Sequence, residues 1–413
     1  MNKIIKKLNS NFRELYLIYI IFGLSIAIFF KDINLTFFKN FNFEFIYIYR
    51  ILLIILSSYL FLYSFKKNNL KIIILLIIHI IFLYNSIYSE KLNFSINTYD
   101  FLNSLYISPE NFFIDEKIKI IIINVINILF PVLIIMCINF KINFNSFYKF
   151  SYKVNELYLI FLSILIIYKI LLINLETNNL KNLIGPVSNF NQHFINPHGL
   201  FYVLNIFFIQ ILIELNKNIN VKKNSFYLFL IFSCFYISGS ILFILLCLCS
   251  FFLYSIIIKK KIPYYIFLIL TTFFSVLFFL VFSDINIDTH GSLINSLYLR
   301  FAYIKFFLVD SINLNFIWGN NIFFDKIYTY PHNFIVDIIV CCGVVCLIAL
   351  LIIILEIIYL QFSKKIISDF LFIIFFQLLI FSLFSGFFFV NISLNILLAI
   401  IINLSRLKEE KIM

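Results

Sequence analysis

The sequence predicts an all-α, polytopic membrane protein. Three observations carry this: 63% of its 413 residues are hydrophobic, only 13% are charged, and the mean hydropathy is +1.03. A soluble domain of that composition would turn most of its apolar side chains to water. Apolar runs able to cross about 30 Å of hydrocarbon recur along the whole chain. The reading gives about twelve transmembrane helices, at 14–30, 45–65, 72–88, 119–140, 157–175, 199–215, 225–239, 241–258, 262–282, 335–361, 370–386 and 390–404. They make a single transmembrane domain over 1–413, with no internal repeat and no second soluble domain.

Charge orients the spans, because Lys and Arg beside a span favour the cytoplasm. The N-terminal tail (Lys3, Lys6, Lys7, Arg13) and the segments 66–71, 141–156, 216–224, 259–261, 362–369 and 405–413 hold 21 of the 32 cations. These are every second connection, so both termini are expected to be cytoplasmic. Acidic residues run the other way, with 12 of 20 in the alternate connections. The first span follows a basic tail but has no small-residue cleavage site, which reads as an uncleaved signal anchor. The net charge of +12 does not indicate nucleic acid, since the cations lie in short clusters between apolar runs and not on one soluble face. All seven cysteines fall within apolar stretches without a CxxC pair, so neither a disulfide framework nor a metal cluster is expected.

Three outward segments exceed a tight turn: 89–118, 176–198 and 283–334. The last is one large external loop, long enough that function is expected of it. It contains "NSLYLRFAYIKFFLVDSI", apolar at Leu297, Phe301, Ile304 and Leu308, the spacing of a short amphipathic helix on the membrane surface.

Ionisable residues at span depth are costly and stand out. Arg50 and Lys169 lie in the outer halves of their spans. Either each snorkels to the outer interface, or both face the bundle interior and, with Arg300, surround a phosphate or pyrophosphate. Arg300 is one of four arginines against 28 lysines and falls in the large loop. Its fork of donors suits a diphosphate clamp, the alternative being a surface anchor for the amphipathic helix. His79 lies within "IIILLIIHIIFLY", where a buried hydrogen-bonding role is expected. The other histidines, His193, His198, His290 and His332, all fall on the outward side, which excludes cytosolic nucleotide chemistry for them. No HxxxH or HExxH spacing occurs, so no metal is expected.

In "YTYPHNFIVDIIVCCG", Pro331 should open a helix and set His332 in its first turn at the water–lipid boundary. There a neutral imidazole could take a proton from a hydroxyl; the alternative is polarity at a helix entrance and nothing more. Asn333 and Asp337 are four apart and share a helix face, whereas His332 and Asp337 do not, so Asp337 is expected to orient Asn333.

These residues resemble the O-antigen ligases and O-antigen polymerases, bacterial membrane glycosyltransferases of the GT-C type. His332, Asn333 and, after nine intervening residues, Gly343 are similar to the family's His-Asn signature before a late span. "RFAYI" from Arg300 resembles the arginine pattern of its large periplasmic loop, and "WGNN", with Gly319, the glycine segment between the two. "YISGSILF" around Ser238 and Ser240 resembles a Ser-Gly-Ser-Arg turn, with Ile241 in place of the arginine, and "INPHG" an Asn-Pro-Asn segment, with His198 in place of the second asparagine. The resemblance covers roughly 190–360. It implies a bacterial inner-membrane enzyme whose large loop is periplasmic and whose donor is an undecaprenyl-diphosphate-linked glycan. The acceptor would be another glycan or lipid A core, and no cofactor is needed. His332 would be the general base and Arg300, aided by Arg50 or Lys169, would hold the diphosphate. Asn333, Asp337 and Gly319 would support the site, and His198, Ser238 and Ser240 could adjoin it. The rival class is a transporter or lipid-linked oligosaccharide flippase, expected to show two related halves and broken helices; the sequence displays neither.

Overall fold

The computed structural model describes residues 2–37, 45–64, 70–88, 121–138, 140–177, 197–238, 247–248, 251, 254, 317–319, 333–365, 367–384 and 388–409. Among these the protein is all-helical. The helices are α1 (Asn2–Phe37), α2 (Phe45–Ser64), α3 (Leu70–Tyr88), α4 (Phe130–Cys137), α5 (Phe144–Thr177), α6 (Pro197–Asn216), α7 (Val221–Ser238), α8 (Phe334–Lys364), α9 (Asp369–Phe384) and α10 (Ile392–Glu409). A π-helical turn, Asn124–Leu129, leads into α4, and a 3₁₀ turn, Phe388–Val390, precedes α10. Most of the expected spans 241–258 and 262–282, and nearly all of the three long outward segments, lie outside the described residues.

Phe12–Lys31, Phe144–Lys169 and Phe334–Ser363 are long and apolar enough to cross a membrane, and six shorter apolar helices accompany them. Their outer faces are greasy at helical spacing: Leu157, Ile160, Phe161, Ile164 and Ile167 on α5, and Val345, Ile348, Ile352, Leu355 and Tyr359 on α8 are all exposed. Continuous apolar stripes of this kind mark a surface that lipid covers.

The chain divides into two compact units. The first comprises Met1–Leu52, Ile142–Ile294 and Ser368–Gln377. In it α1 packs against α5 and α6, and α6 against α7. A polar ladder along one face of α5 ties these helices together, at positions three and four apart as a helix face requires. Gln210 of α6 donates to Ser151 Oγ at 2.7 Å and accepts from Asn155 Nδ2 at 2.6 Å. Tyr148 donates to Glu214 at 2.9 Å, and Tyr152 to Asn224 Oδ1 at 2.6 Å. Glu156 receives Tyr227 at 2.5 Å and Lys223 at 2.6 Å. Burial without partners would cost each amide a few kcal/mol, about 1–3 by mutational measures, so the ladder fixes helix register as well as proximity.

The second unit comprises Leu53–Lys141, Asn295–Ile367 and Leu378–Met413. Here α3 packs on α8, and α10 on α4 and α3. The expected span 119–140 is not uniform. Pro131 has no N–H to return to the carbonyl four residues back and its ring crowds that carbonyl; just before it the helix widens, with Phe130 N–H reaching Val125 O. Asn403 of α10 closes the far end of this segment by donating to the carbonyls of Ile135, at 2.7 Å, and Ile138, at 2.8 Å. The expected span 335–361 is also interrupted, at Gly343, whose φ of 83° and ψ of 171° lie far outside the helical region.

Candidate functional site

The entrance of α8 is built by a side chain and not by proline. Asn333 has extended backbone (φ −146°, ψ 113°), and its Oδ1 accepts from Ile335 N at 3.0 Å and Val336 N at 3.3 Å. This is an N-cap, satisfying amides that a helix start leaves orphaned. The helix therefore opens at Phe334, and the expectation that Pro331 opens it with His332 in its first turn is corrected: the side-chain cap sets the start, and His332 precedes the cap. His332 and Arg300 themselves lie outside the described residues.

Nor does Asp337 orient the Asn333 side chain. The link between them is the ordinary helical bond from Asp337 N to Asn333 O, at 2.9 Å. The buried Asp337 carboxylate instead accepts from Phe388 N at 3.0 Å through Oδ2, while Asn333 Nδ2 donates to Leu383 O at 3.2 Å. Phe388 sits in a 3₁₀ turn whose amide lacks a regular helical partner, so an external acceptor is worth more there than a second contact to Asn333. Asn333 ties the start of α8 to the last turn of α9, and Asp337 ties its first turn to the turn before α10. Asp337→Asn keeps an oxygen for Phe388 N and should melt near wild type in detergent. Asp337→Ala strands that amide and should lose about 1–3 kcal/mol. Equal losses in the two variants would mean that charge, not the acceptor, is required.

Two glycines carry the other half of the arrangement. Gly319 has φ of 72°, and a Cβ there would meet Cys342 N at 2.5 Å and Gly343 N at 2.6 Å. A Cβ on Gly343 would run into the carbonyl oxygen of Ile317. The 317–319 turn thus packs backbone to backbone into the break of α8, an approach only glycine permits. Asn85 of α3 bridges the two, donating to Cys341 O beside the break at 2.9 Å and to Trp318 O of the docked turn at 3.1 Å.

Beneath lies a polar cluster whose histidine the sequence singled out and whose asparagine partners sequence reasoning missed. His79 is fully buried, with Nδ1 2.7 Å from Asn124 Nδ2 and Nε2 3.0 Å from Asn395 Oδ1. Asn124 Nδ2 also donates to Phe389 O at 2.9 Å, and Asn395 Nδ2 to Phe388 O at 2.8 Å, which fixes both amide orientations. His79 therefore accepts at Nδ1 and carries its proton at Nε2. The signal was present as asparagines inside apolar runs, but asparagine is so abundant in this chain that no single one stood out.

The remaining candidates divide between cases. Lys169, at 5% exposed, is buried in the protein, which favours its interior-facing alternative over snorkelling. The Arg50 guanidinium lies 5.6 Å from the Tyr47 ring centroid, a cation–π distance. His198 is in the first turn of α6 and Ser238 ends α7; their side chains, and Ser240 and Ile241 altogether, lie outside the described residues. Among the described residues no three His, Cys, Asp or Glu side chains come together as a metal site would require, and six cysteines are free thiols. The flippase alternative gains a feature not expected of this sequence, since α8 is broken. No protein-family model, no curated protein and no solved structure matches this chain.

Proposed function

We propose that the protein is a multi-pass glycosyltransferase of the bacterial inner membrane. It would transfer an undecaprenyl-diphosphate-linked glycan to a sugar hydroxyl at the periplasmic face, as an O-antigen ligase or polymerase does. In this reading the chain crosses about twelve times, both termini are cytoplasmic, and 283–334 forms the periplasmic loop. The supporting observation is the contact of Gly319 with Gly343: the loop segment and the helix after His332, two of the stretches that carry the family resemblance, are built into one another.

The chemistry follows from residue types. His332 takes the proton of the acceptor hydroxyl as its oxygen attacks the anomeric carbon from the face opposite the diphosphate. The bond from that carbon to the diphosphate oxygen breaks, the electron pair leaves with the undecaprenyl diphosphate, and the anomeric centre inverts. Arg300 holds the leaving diphosphate, with Arg50 or Lys169 adding charge, an electrostatic role effective in a water-poor site. Asn333 and Asp337 hold the helix entrance beside His332.

The purified chain in detergent, given lipid-linked donor and acceptor, should release undecaprenyl diphosphate and form a longer or newly attached glycan. Lipid A core as the productive acceptor means ligase; a second lipid-linked glycan means polymerase. The break in α8 favours a second reading, a flippase, because interrupted helices line substrate paths in carriers. A flippase would form no product in that assay and would instead move lipid-linked glycan across sealed vesicles.

A further inference from the structure

The first unit holds a cavity of about 310 Å³ between α1, around Glu14, and the start of α5, lined by Glu14, Leu15, Ser146, Lys149, Phe150 and Lys153. Ser146, Lys149, Phe150 and Lys153 are three and four residues apart, so one face of α5 forms one wall. Lys149 and Lys153 are exposed and one turn apart, and neither forms a salt bridge with an acid among the described residues. Glu14 is 5% exposed on the inner wall, where its Oε1 accepts from Asn143 N at 3.0 Å and its Oε2 has no partner among the described residues. At the rim, Leu15 and Phe150 are 46% and 43% exposed. Glu14 and Leu15 open the first expected span directly after the N-terminal tail, and the other lining residues lie in 141–156; that tail and 141–156 are both among the lysine- and arginine-rich segments that charge assigns to the cytoplasm.

We propose that this cavity binds the headgroup of an anionic glycerophospholipid of the cytoplasmic leaflet, of the phosphatidylglycerol type. Two lysines and one carboxylate leave one net positive charge, which matches a headgroup of charge −1. The phosphate lies between Lys149 and Lys153, a spacing two flexible ammonium groups can close on from both sides. The headgroup hydroxyls donate to Glu14 Oε2 and exchange a hydrogen bond with Ser146. The acyl chains leave over Leu15 and Phe150. The buried carboxylate makes this more selective than a basic patch: it repels a bare phosphate and rewards a headgroup that brings hydroxyl donors. The inference stands apart from the glycosyltransferase reading, and its test uses no enzymatic activity.

The test is native mass spectrometry of the full chain in detergent, titrated with phosphatidylglycerol, phosphatidylcholine or phosphatidylmethanol, the last having the same charge as the first without the hydroxyls. The wild type should retain one phosphatidylglycerol, in preference to both others. Lys149→Gln/Lys153→Gln should weaken its retention about tenfold or more, since lysines near a lipid surface contribute strongly to anionic binding. Lys217→Gln/Lys222→Gln, which removes the same charge elsewhere on the same side, should not. Glu14→Gln should erase the preference over phosphatidylmethanol. The proposal is overturned if the wild type holds phosphatidylcholine as well as phosphatidylglycerol, if it does not distinguish phosphatidylmethanol, or if the two double variants weaken binding equally.

Discussion

Gly343→Ala is expected to destabilise the protein by about 2–6 kcal/mol, read as a fall in folded yield and in the melting temperature of whatever is recovered in detergent. Two costs coincide at this position. The backbone, at φ 83° and ψ 171°, occupies a region open essentially to glycine, and strain there costs roughly 1–3 kcal/mol. The new methyl must also displace the Ile317 carbonyl and Trp318 N, which are backbone atoms and cannot swing aside as a side-chain tip would. Overpacking of that kind adds about 1–3 kcal/mol. Val345→Ala, two residues along on the exposed face of the same helix, is the control and should stay within about 0.5 kcal/mol. A Gly343→Ala protein that melted like wild type would mean that the 317–319 turn does not dock into α8.

The second large effect is expected at His332. If it is the base, His332→Ala should lower glycan transfer by about 10²- to 10⁴-fold with little change in melting temperature. Asn333→Ala should behave in the opposite way. It removes the cap of α8 and its bond to Leu383 O, so it should lower stability by about 1 kcal/mol, with activity falling only as far as the helix entrance loosens. The adjacent pair thus separates chemistry from architecture within one dipeptide. Full transfer activity in His332→Ala membranes would remove the histidine from the mechanism.

Much of the helical layout was legible in the sequence, because lipid makes the signal simple: a spanning backbone must satisfy itself, and its outward face must be apolar. The runs 45–65 and 72–88 became Phe45–Ser64 and Leu70–Tyr88 with scarcely a shift. His79 is buried and hydrogen-bonded, as its place inside an apolar run suggests. What sequence reasoning missed are the interruptions. A stretch as uniformly apolar as 335–361 reads as one continuous helix, and nothing in its own pattern announces that the 317–319 turn docks into a break at Gly343. Pro331 misled about the start of α8 because a local preference of proline was weighed without the stronger side-chain cap of its neighbour but one, Asn333. Asp337 misled for a similar reason. Its spacing from Asn333 on a helix face was correct, yet the decisive partner, Phe388 N, belongs to an irregular turn that no periodicity announces.

The unequal helix lengths bear on hydrophobic mismatch. At about 1.5 Å per residue, α9 and α10, with 16 and 18 residues, are roughly 24 and 27 Å long, less than a typical hydrocarbon layer of about 30 Å. Helices that short would thin a bilayer if lipid touched them. Among the described residues neither has an exposed large apolar side chain, whereas α5 and α8, with 34 and 31 residues, carry long stripes of them. With so little apolar side chain to offer lipid, α9 and α10 need not match its thickness, which leaves them free to stop where the turn at Phe388 needs them to.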